Sequence, residues 1–248
     1  MRGIVKLTQT QAKLFLREPA AFFFTLVFPA GLLYLFGLMF GNDPDPEFNP
    51  NFGFLDVETP AFMALVIASI AFMGIPTAVA AMREQGVLRR LRATPLPSLS
   101  YILADLIVNY GMGLFGAVLL VAVGKVAFEL NFLGSWPLLF VAFSAGALAA
   151  YATGYIIAAL SPTARVAQTL GMVLYFPNLF LSGATFPRDV FPDTIKLLSD
   201  LMPMTHMVNL FQAIWFGKPW SEYGVTLTIT VGFAIGGVVL AVKLFRWE

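Results

Sequence analysis

Few residues in this sequence could do chemistry. There is one histidine, His206, and no cysteine, so multi-histidine metal sites, thiolate sites and cysteine catalysis are excluded. Neither an HExxH motif nor a Gly-x-Ser-x-Gly elbow occurs. Gly217-Lys218-Pro219 lacks the rest of a phosphate-binding Walker A loop. We therefore expect no catalytic site, no metal and no bound cofactor in this chain, and any nucleotide energy must come from another chain.

Asp105 is the one acidic residue inside a predicted membrane span. An intramembrane acid is functional by default. Asp105 lies near the inner end of its span, however, where contact with water or pairing with Arg92 explains it equally well. Candidates to line a substrate path are Asn109, Tyr155, Tyr175 and Asn178. The alternative for Tyr175 and Asn178 is that they satisfy each other inside the helix bundle.

A basic loop, residues 83–97, follows the second predicted span. Leu88, Leu91 and Arg92 are spaced by three and four residues, which predicts a short helix with an apolar side and a cationic side. Pro95 and Pro97 end that helix. One interpretation is a stiff helix that receives force from a soluble partner. The other is a basic loop that only fixes the orientation of the chain in the membrane.

The segment 183–220 is long but rich in apolar residues, and prolines cut it into pieces. The pieces 192–201 and 205–216 are predicted to be amphipathic helices that are too short to span a bilayer. We expect a broken pair that dips into the outer leaflet, backed by other helices. The alternative is one extra span over 202–216, which is fifteen residues long and contains His206.

The composition predicts the elements that must position these residues. The chain has 248 residues, of which 58% are hydrophobic and 12% are charged. Its mean hydropathy is +0.80. A soluble protein of this size cannot hide so much apolar side chain. The net charge of +1 argues against a nucleic-acid partner. The sequence is therefore that of a polytopic membrane protein.

Six stretches approach the roughly 20 apolar residues that a membrane-spanning helix needs. They are residues 20–41, 60–82, 101–124, 136–160, 166–181 and 223–242. With the N-terminus inside, eleven of the 15 Lys and Arg residues lie on the inner side, which predicts that both termini are cytoplasmic. Residues 1–18 mix apolar and basic residues at near-helical spacing. They predict an amphipathic interfacial helix, with a frayed tail as the alternative.

Small residues repeat every four positions along two predicted spans. The fourth span carries Gly146, Ala150, Gly154 and Ala158, and the sixth carries Gly232 and Gly236. Such ridges allow close approach of helices. Packing within the chain is the favoured interpretation, and a dimer seam is the alternative.

Three motifs carry a resemblance to a known family. They are Arg17-Glu18-Pro19 after the interfacial helix, Glu84-x-Gly86-x-Leu88-x-Arg90-Leu91-Arg92-x-Thr94-Pro95 after the second span, and Leu181-Ser182-Gly183-x-x-Phe186-Pro187 followed by Pro192 and Leu201-x-Pro203 after the fifth. In arrangement the chain resembles, over nearly its whole length, the permease subunits of ABC-2 type bacterial exporters. That group has daunorubicin-resistance and nodulation-factor export members.

The resemblance implies a single transmembrane domain over 1–248 that forms half of a homodimeric or heterodimeric unit. The expected fold is all-α, with six spans, an interfacial elbow helix, a cytoplasmic coupling helix and an outer re-entrant hairpin. Two separate ATP-binding subunits, holding ATP and Mg²⁺, would dock inside. The implied coupling residues are Arg83, Glu84, Gly86, Leu88, Arg89, Arg90, Leu91, Arg92 and Thr94. The implied outer gate residues are Gly183, Phe186, Pro187, Pro192 and Pro203.

The expected function is therefore ATP-driven export across the bacterial inner membrane by a chain without its own ATPase site. The apolar, charge-poor spans favour a hydrophobic or amphiphilic substrate, such as a drug or lipid-like molecule. One alternative is ABC export of a polysaccharide or lipid-linked glycan. Another is a stand-alone transporter or channel driven by a gradient, which would need intramembrane charges or an inverted repeat. An intramembrane enzyme lacks an acid–base pair here.

Overall fold

The computed structural model describes residues 2–17, 22–44, 51–92, 98–185, 188 and 191–244. These residues are mostly helical, and no strand occurs among them. The helices are α1 (Arg2–Arg17), α2 (Phe28–Phe40), α3 (Phe54–Ser69), α4 (Ile75–Glu84), α5 (Val87–Arg92), α6 (Ser98–Phe128), α7 (Trp136–Leu160), α8 (Ala164–Leu181), α9 (Asp193–Asp200), α10 (Pro203–Trp215) and α11 (Trp220–Leu244). Two π-helical segments, Phe23–Val27 and Ile70–Gly74, precede α2 and join α3 to α4.

Within the described residues, four helical stretches are long and apolar enough to cross a membrane. The first is Phe54–Glu84, which runs through α3 and α4, and the second is Tyr101–Phe128, which lies in α6. The third and fourth are the whole helices α7 and α11. The first predicted span corresponds to the shorter apolar helix Thr25–Phe40. The fifth corresponds to α8, which has 18 residues and includes Arg165, Gln168 and Asn178. The predicted class, an all-helical membrane protein, is confirmed. Four of the six predicted spans are both long enough and apolar enough to cross a membrane.

The continuous stretch from α3 to α4 forms the centre of the bundle. The α3 half packs against α2, α6 and α10, whereas the α4 half packs against α7 and α8. Side chains such as Leu55, Ile67 and Ile75 are almost completely buried in this stretch. In contrast, α6 and α11 carry large apolar side chains that are mostly exposed, including Val126 at 87% and Phe233 at 71%. Apolar surface of that extent suits contact with lipid or another apolar partner rather than water.

The central stretch is interrupted where its helical hydrogen bonding changes. The N–H of Ile75 donates to the carbonyl of Ile70, five residues back, which is the π-helical pattern. Pro76 comes next and has no N–H, so it can donate neither to Phe72 in the α-helical pattern nor to Ala71 in the π-helical pattern. The first π-helical segment is built alike, because the N–H of Phe28 donates to Phe23 and Pro29 follows.

Glycines of two neighbouring helices lie against this interruption. A Cβ atom placed on Gly154 of α7 would be 2.2 Å from the carbonyl oxygen of Ala71. A Cβ atom on Gly171 of α8 would be 2.0 Å from that of Phe72. The backbones of α7 and α8 therefore approach the irregular part of the central helix closely, which only glycine permits.

The small-residue ridge of α7 thus faces other helices of this chain. Gly146 lies against Met207 and Phe211 of α10, and Gly154 lies against the central stretch. The ridge of α11 differs, because a Cβ on Gly232 or Gly236 would have no neighbour within 4 Å. At the start of the described chain, α1 covers 16 residues of the predicted interfacial helix and packs against α6.

Candidate coupling segment, intramembrane polar cluster and outer helical pair

The predicted coupling segment begins where α4 ends at a glycine. Gly86 has φ of +69°, in the left-handed region that favours glycine. The N–H of Gly86 donates to the carbonyl of Arg83 at 3.0 Å, and that of Gln85 donates to Ala81 at 2.9 Å. The N–H of Arg90 then donates to the carbonyl of Gly86 at 3.1 Å. Gly86 thus terminates α4 and allows α5 to start as a separate short helix.

Within α5, one apolar side chain anchors the helix and two cations face outward. Leu88 is fully buried, whereas Arg89 and Arg90 are exposed. Helix α5 packs against α4. This arrangement has the apolar and cationic sides that the sequence predicts. The side chains of Leu91 and Arg92, and Thr94 as a whole, lie outside the part that the structure describes.

Arg83 and Glu84, at the end of α4, are directed toward the turn between α7 and α8. An Nη2 atom of Arg83 donates to the carbonyl of Ala158 at 3.1 Å and also to that of Ser161. The Oε2 atom of Glu84 accepts from the N–H of Ala164, the first residue of α8, at 3.1 Å. A cation therefore meets the carboxyl end of α7 and an anion meets the amino end of α8, which are the favourable signs for the two helix dipoles.

Asp105 is the centre of a buried polar cluster between α6 and α7. The hydroxyl of Tyr155 donates to its Oδ2 atom at 2.6 Å, and the side-chain amide of Asn109 donates to the same atom at 3.1 Å. The hydroxyl of Tyr151 donates to the carbonyl of Asn109 at 3.3 Å. Asp105 is 6% exposed. These neutral donors are its observed partners, while the side chain of Arg92 is outside the described part.

The structure brings together two of the four predicted pathway residues, Asn109 and Tyr155. Beside Tyr155 is a cavity of about 30 Å³. It is lined by Ile102, Leu106, Leu148, Ala152, Tyr155, Val238, Ala241 and Val242. That volume holds about one water molecule, so this cavity within a single chain is too small for an organic substrate. Tyr175 and Asn178 lie on α8, where the ring of Tyr175 contacts that of Phe176.

Two short helices, α9 and α10, form the segment that was predicted to be a broken pair. Pro192 stands at the cap position before α9, and Pro203 is the first residue of α10, where a missing N–H costs nothing. The joint between them is held by Thr205, whose hydroxyl donates to the carbonyl of Ser199 at 2.6 Å. The prolines therefore fix the two helix starts, as the sequence indicates.

The pair formed by α9 and α10 is tied to the end of α8. Asn178 accepts from the N–H of Met204 at 3.2 Å and donates to the carbonyl of Leu174 at 2.8 Å, so this predicted pathway residue connects α8 to α10. Gly183 follows α8 with φ of +85°. Arg188 pairs with Asp200, and His206 lies 2.9 Å from the carbonyl of Asp200 through its Nε2 atom. The predicted gate residues Phe186 and Pro187 are outside the described residues.

A polar network around Asp56 was not predicted from the sequence. One carboxylate oxygen accepts from the amide of Asn42 at 3.0 Å and from the N–H of Asn131 at 2.8 Å. The other accepts from the N–H of Gly53 at 3.2 Å and the amide of Asn131 at 3.4 Å. Asn42 also donates to the carbonyl of Phe128 at 3.1 Å. Asp56 is fully buried, so the network joins the α2–α3 and α6–α7 connections.

The same α6–α7 connection holds the end of α10. The indole N–H of Trp215 donates to the carbonyl of Asn131 at 3.0 Å, and the N–H of Leu133 donates to the carbonyl of Trp215 at 3.1 Å. The rings of Phe132 and Trp136 have their centroids 4.9 and 6.2 Å from that of Trp215. The sequence gives a signal for this anchor only in its aromatic residues, because their partners are far apart in the chain.

Among the described residues, no group of three or more His, Asp or Glu side chains could hold a metal ion. Fold and sites together define a polytopic helical membrane protein with a short separate helix after the central stretch and a pair of short helices after α8. The sequence pattern of the ABC-2 type transporter family matches residues 2–216. The chain belongs to that family, which confirms the resemblance noted from its motifs.

Curated relatives agree with this assignment. The chain is 28% identical over 212 residues to the inner membrane transport permease YhhJ of Escherichia coli, covering 82% of this chain and 54% of that protein. It is 24% identical over 168 residues to the probable multidrug ABC transporter permease YbhR of Escherichia coli, covering 68% and 46%. It is 30% identical over 115 residues to nodulation protein J of Sinorhizobium fredii, covering 45% and 44%. The chain thus spans about half the length of the curated relatives it matches.

Proposed function

We propose that this chain is the transmembrane permease subunit of an ATP-driven exporter, and that α5 is the helix on which a separate ATP-binding subunit acts. The observation that carries the proposal is the form of α5. Gly86 sets it apart from α4, Leu88 fixes it to the protein, and Arg89 and Arg90 are exposed. A small helix held at one side can receive a push from a soluble partner without unfolding.

The proposed topology has six spans with both termini in the cytoplasm of a bacterial inner membrane. Four spans rest on helices of sufficient length and apolarity. The other two would use the apolar helix Thr25–Phe40 and α8. This topology puts α5 inside, together with most of the basic residues. It also puts α9 and α10 at the outer side, where they would form a re-entrant pair that closes the pathway.

The proposed transport unit contains two permease copies, identical or homologous, and two ATP-binding subunits that hold ATP and Mg²⁺. The cavity beside Tyr155 has room for about one water. A larger cavity of about 310 Å³ lies at the end of α10, beside Gly217 and Tyr223, and none of the four predicted pathway residues lines it. We place the substrate path between two permease chains, as a unit built of two half-transporters implies. The apolar faces of α6 and α11 suit a hydrophobic or amphiphilic cargo, in keeping with the relatives named as multidrug permeases.

The proposal is tested by expressing the chain with and without a candidate ATP-binding subunit and reconstituting both preparations in liposomes. We expect co-purification, ATP hydrolysis only when the subunit is present, and ATP-dependent movement of an amphiphilic dye such as Hoechst 33342. Changing Arg89 and Arg90 to Glu should reduce co-purification, while Lys243→Gln, an exposed cation elsewhere, should not. Dye movement without the ATP-binding subunit would instead favour a gradient-driven transporter.

A further inference from the structure

The predicted coupling residues divide into two groups in the structure. Arg89 and Arg90 on α5 are exposed, and Arg90 donates to the carbonyl of Gln85, within the same segment, at 3.4 Å. Arg83 and Glu84, which precede α5, make hydrogen bonds to the α7–α8 turn of the same chain. Glu84 is exposed as well, but its carboxylate and the guanidinium of Arg83 bond to a different part of the permease from their own segment. A different role from that of Arg89 and Arg90 follows.

The bonds of Arg83 and Glu84 lie at two helix ends that are next to each other. At the end of α7 some carbonyls lack α-helical partners, and so do some N–H groups at the start of α8, as at every helix terminus. Arg83 supplies donors to the first and Glu84 supplies an acceptor to the second. Thr163 completes the start of α8, because its hydroxyl accepts from the N–H of Val166 at 3.3 Å.

The two residues are adjacent in the chain, so one rigid turn of α4 holds both helix ends. Hydrogen bonds with a charged partner are about twice as strong as neutral ones. Helix α4, which ends at these two residues, also packs against both α7 and α8. A displacement of α5 would therefore be transmitted through α4 to α7 and α8 as a unit.

We propose that Arg83 and Glu84 form an internal link that makes the α7–α8 turn move with the coupling segment. They are positioning residues, and the surface that meets the ATP-binding subunit is α5 itself. This inference rests on the proposed function for its role in transport. Whether Arg83 and Glu84 hold the α7–α8 turn to α4 can be tested without assuming the proposed function.

The structural readout uses the absence of cysteine from the sequence, which allows two spin labels to be placed cleanly. Labels at Gln85 and Gln168, both exposed, report the separation of the coupling segment from α8. In the otherwise unchanged chain we expect a narrow distance distribution. In the double variant Arg83→Gln with Glu84→Gln we expect a clearly broader one. A distribution that is equally broad in both proteins would overturn the link.

The functional readout separates the link from docking. The double variant should still co-purify with the ATP-binding subunit, while its transport per ATP falls about tenfold because charge-assisted hydrogen bonds are lost. The matched controls Lys243→Gln and Glu222→Gln remove exposed charges elsewhere and should change neither quantity. Loss of co-purification in the double variant, as in the Arg89 and Arg90 variants, would make Arg83 and Glu84 docking residues and refute the inference.

The two proposals fail in different ways. If the unchanged chain binds no ATP-binding subunit, the proposed function fails, yet the spin-label distances still decide whether the link exists. If the complex forms and transports normally in the double variant with an unchanged distance distribution, the link is wrong and the proposed function stands.

Discussion

Replacing Gly154 or Gly171 by alanine should destabilise the protein, because each glycine lies against backbone that cannot rotate away. The added Cβ would be 2.2 Å from the carbonyl oxygen of Ala71 in the first case and 2.0 Å from that of Phe72 in the second. Close carbon–oxygen contacts in proteins are about 3.3 Å or longer. Helices α7 and α8 would therefore have to move away by roughly 1 Å.

The magnitude follows from two opposing terms. Overpacking of a tight interior costs about 1–3 kcal/mol, and the upper value applies because both neighbours are backbone. Alanine is a better helix former than glycine by about 1 kcal/mol. We therefore expect each variant to lose about 2 kcal/mol of unfolding free energy.

The assay is unfolding by SDS titration in mixed micelles, followed by tryptophan fluorescence. Gly232→Ala and Gly236→Ala are matched controls, since no atom lies within 4 Å of a Cβ at either position. They should be unchanged or more stable, by up to about 1 kcal/mol. If Gly154→Ala and Gly171→Ala are as stable as these controls, the close packing of α7 and α8 on the interrupted central helix is wrong.

Three further predictions concern the buried polar groups, each measured by the same unfolding assay. Asp56→Asn should lower the free energy of unfolding by about 1.5–3 kcal/mol, because a carboxylate that accepts several hydrogen bonds becomes an amide facing donors. The exposed control Asp43→Asn should leave it unchanged, and equal effects of the two substitutions would contradict the network. Tyr155→Phe should cost about 1.5–3 kcal/mol by removing a donor to the buried carboxylate on α6, whereas Tyr34→Phe, at a side chain 44% exposed, should not. Trp215→Phe should cost about 1 kcal/mol or more through its lost N–H, and no loss would show that the ring alone anchors α10.

Much of the fold was predictable because it depends on local properties of the chain. Hydropathy over about 20 residues indicates where helices can cross a bilayer. The π-helical segments also have a local signal, since each ends just before an X-Pro pair, Phe28-Pro29 or Ile75-Pro76. The hydropathy pattern was less decisive for α8, because polar side chains such as Gln168 and Asn178 lower its apolar character.

The candidate sites were predictable only in part. The spacing of Leu88, Leu91 and Arg92 predicted a short two-sided helix, and the family resemblance implied its coupling role. The structure gives α5 a buried Leu88 and exposed Arg89 and Arg90. Asn178 was a candidate pathway residue, but its amide connects α8 to α10. Asp105 was considered with Arg92, whereas Tyr155, fifty positions away, is its short hydrogen-bond donor. Pairings across such separations have no signature in one sequence.

The sequence by itself determined that this is a helical membrane protein, where its short helices begin and that α5 is separate from α4, because hydropathy, proline and glycine act on the backbone locally. The tertiary structure decided which of two similar glycine ridges is buried, since Gly154 and Gly232 differ only in what packs against them. It also decided the partners of Asp56 and Glu84, 75 and 80 positions away. A charged group takes whichever helix end or loop the packing brings within about 3 Å, and that choice is made by the whole bundle.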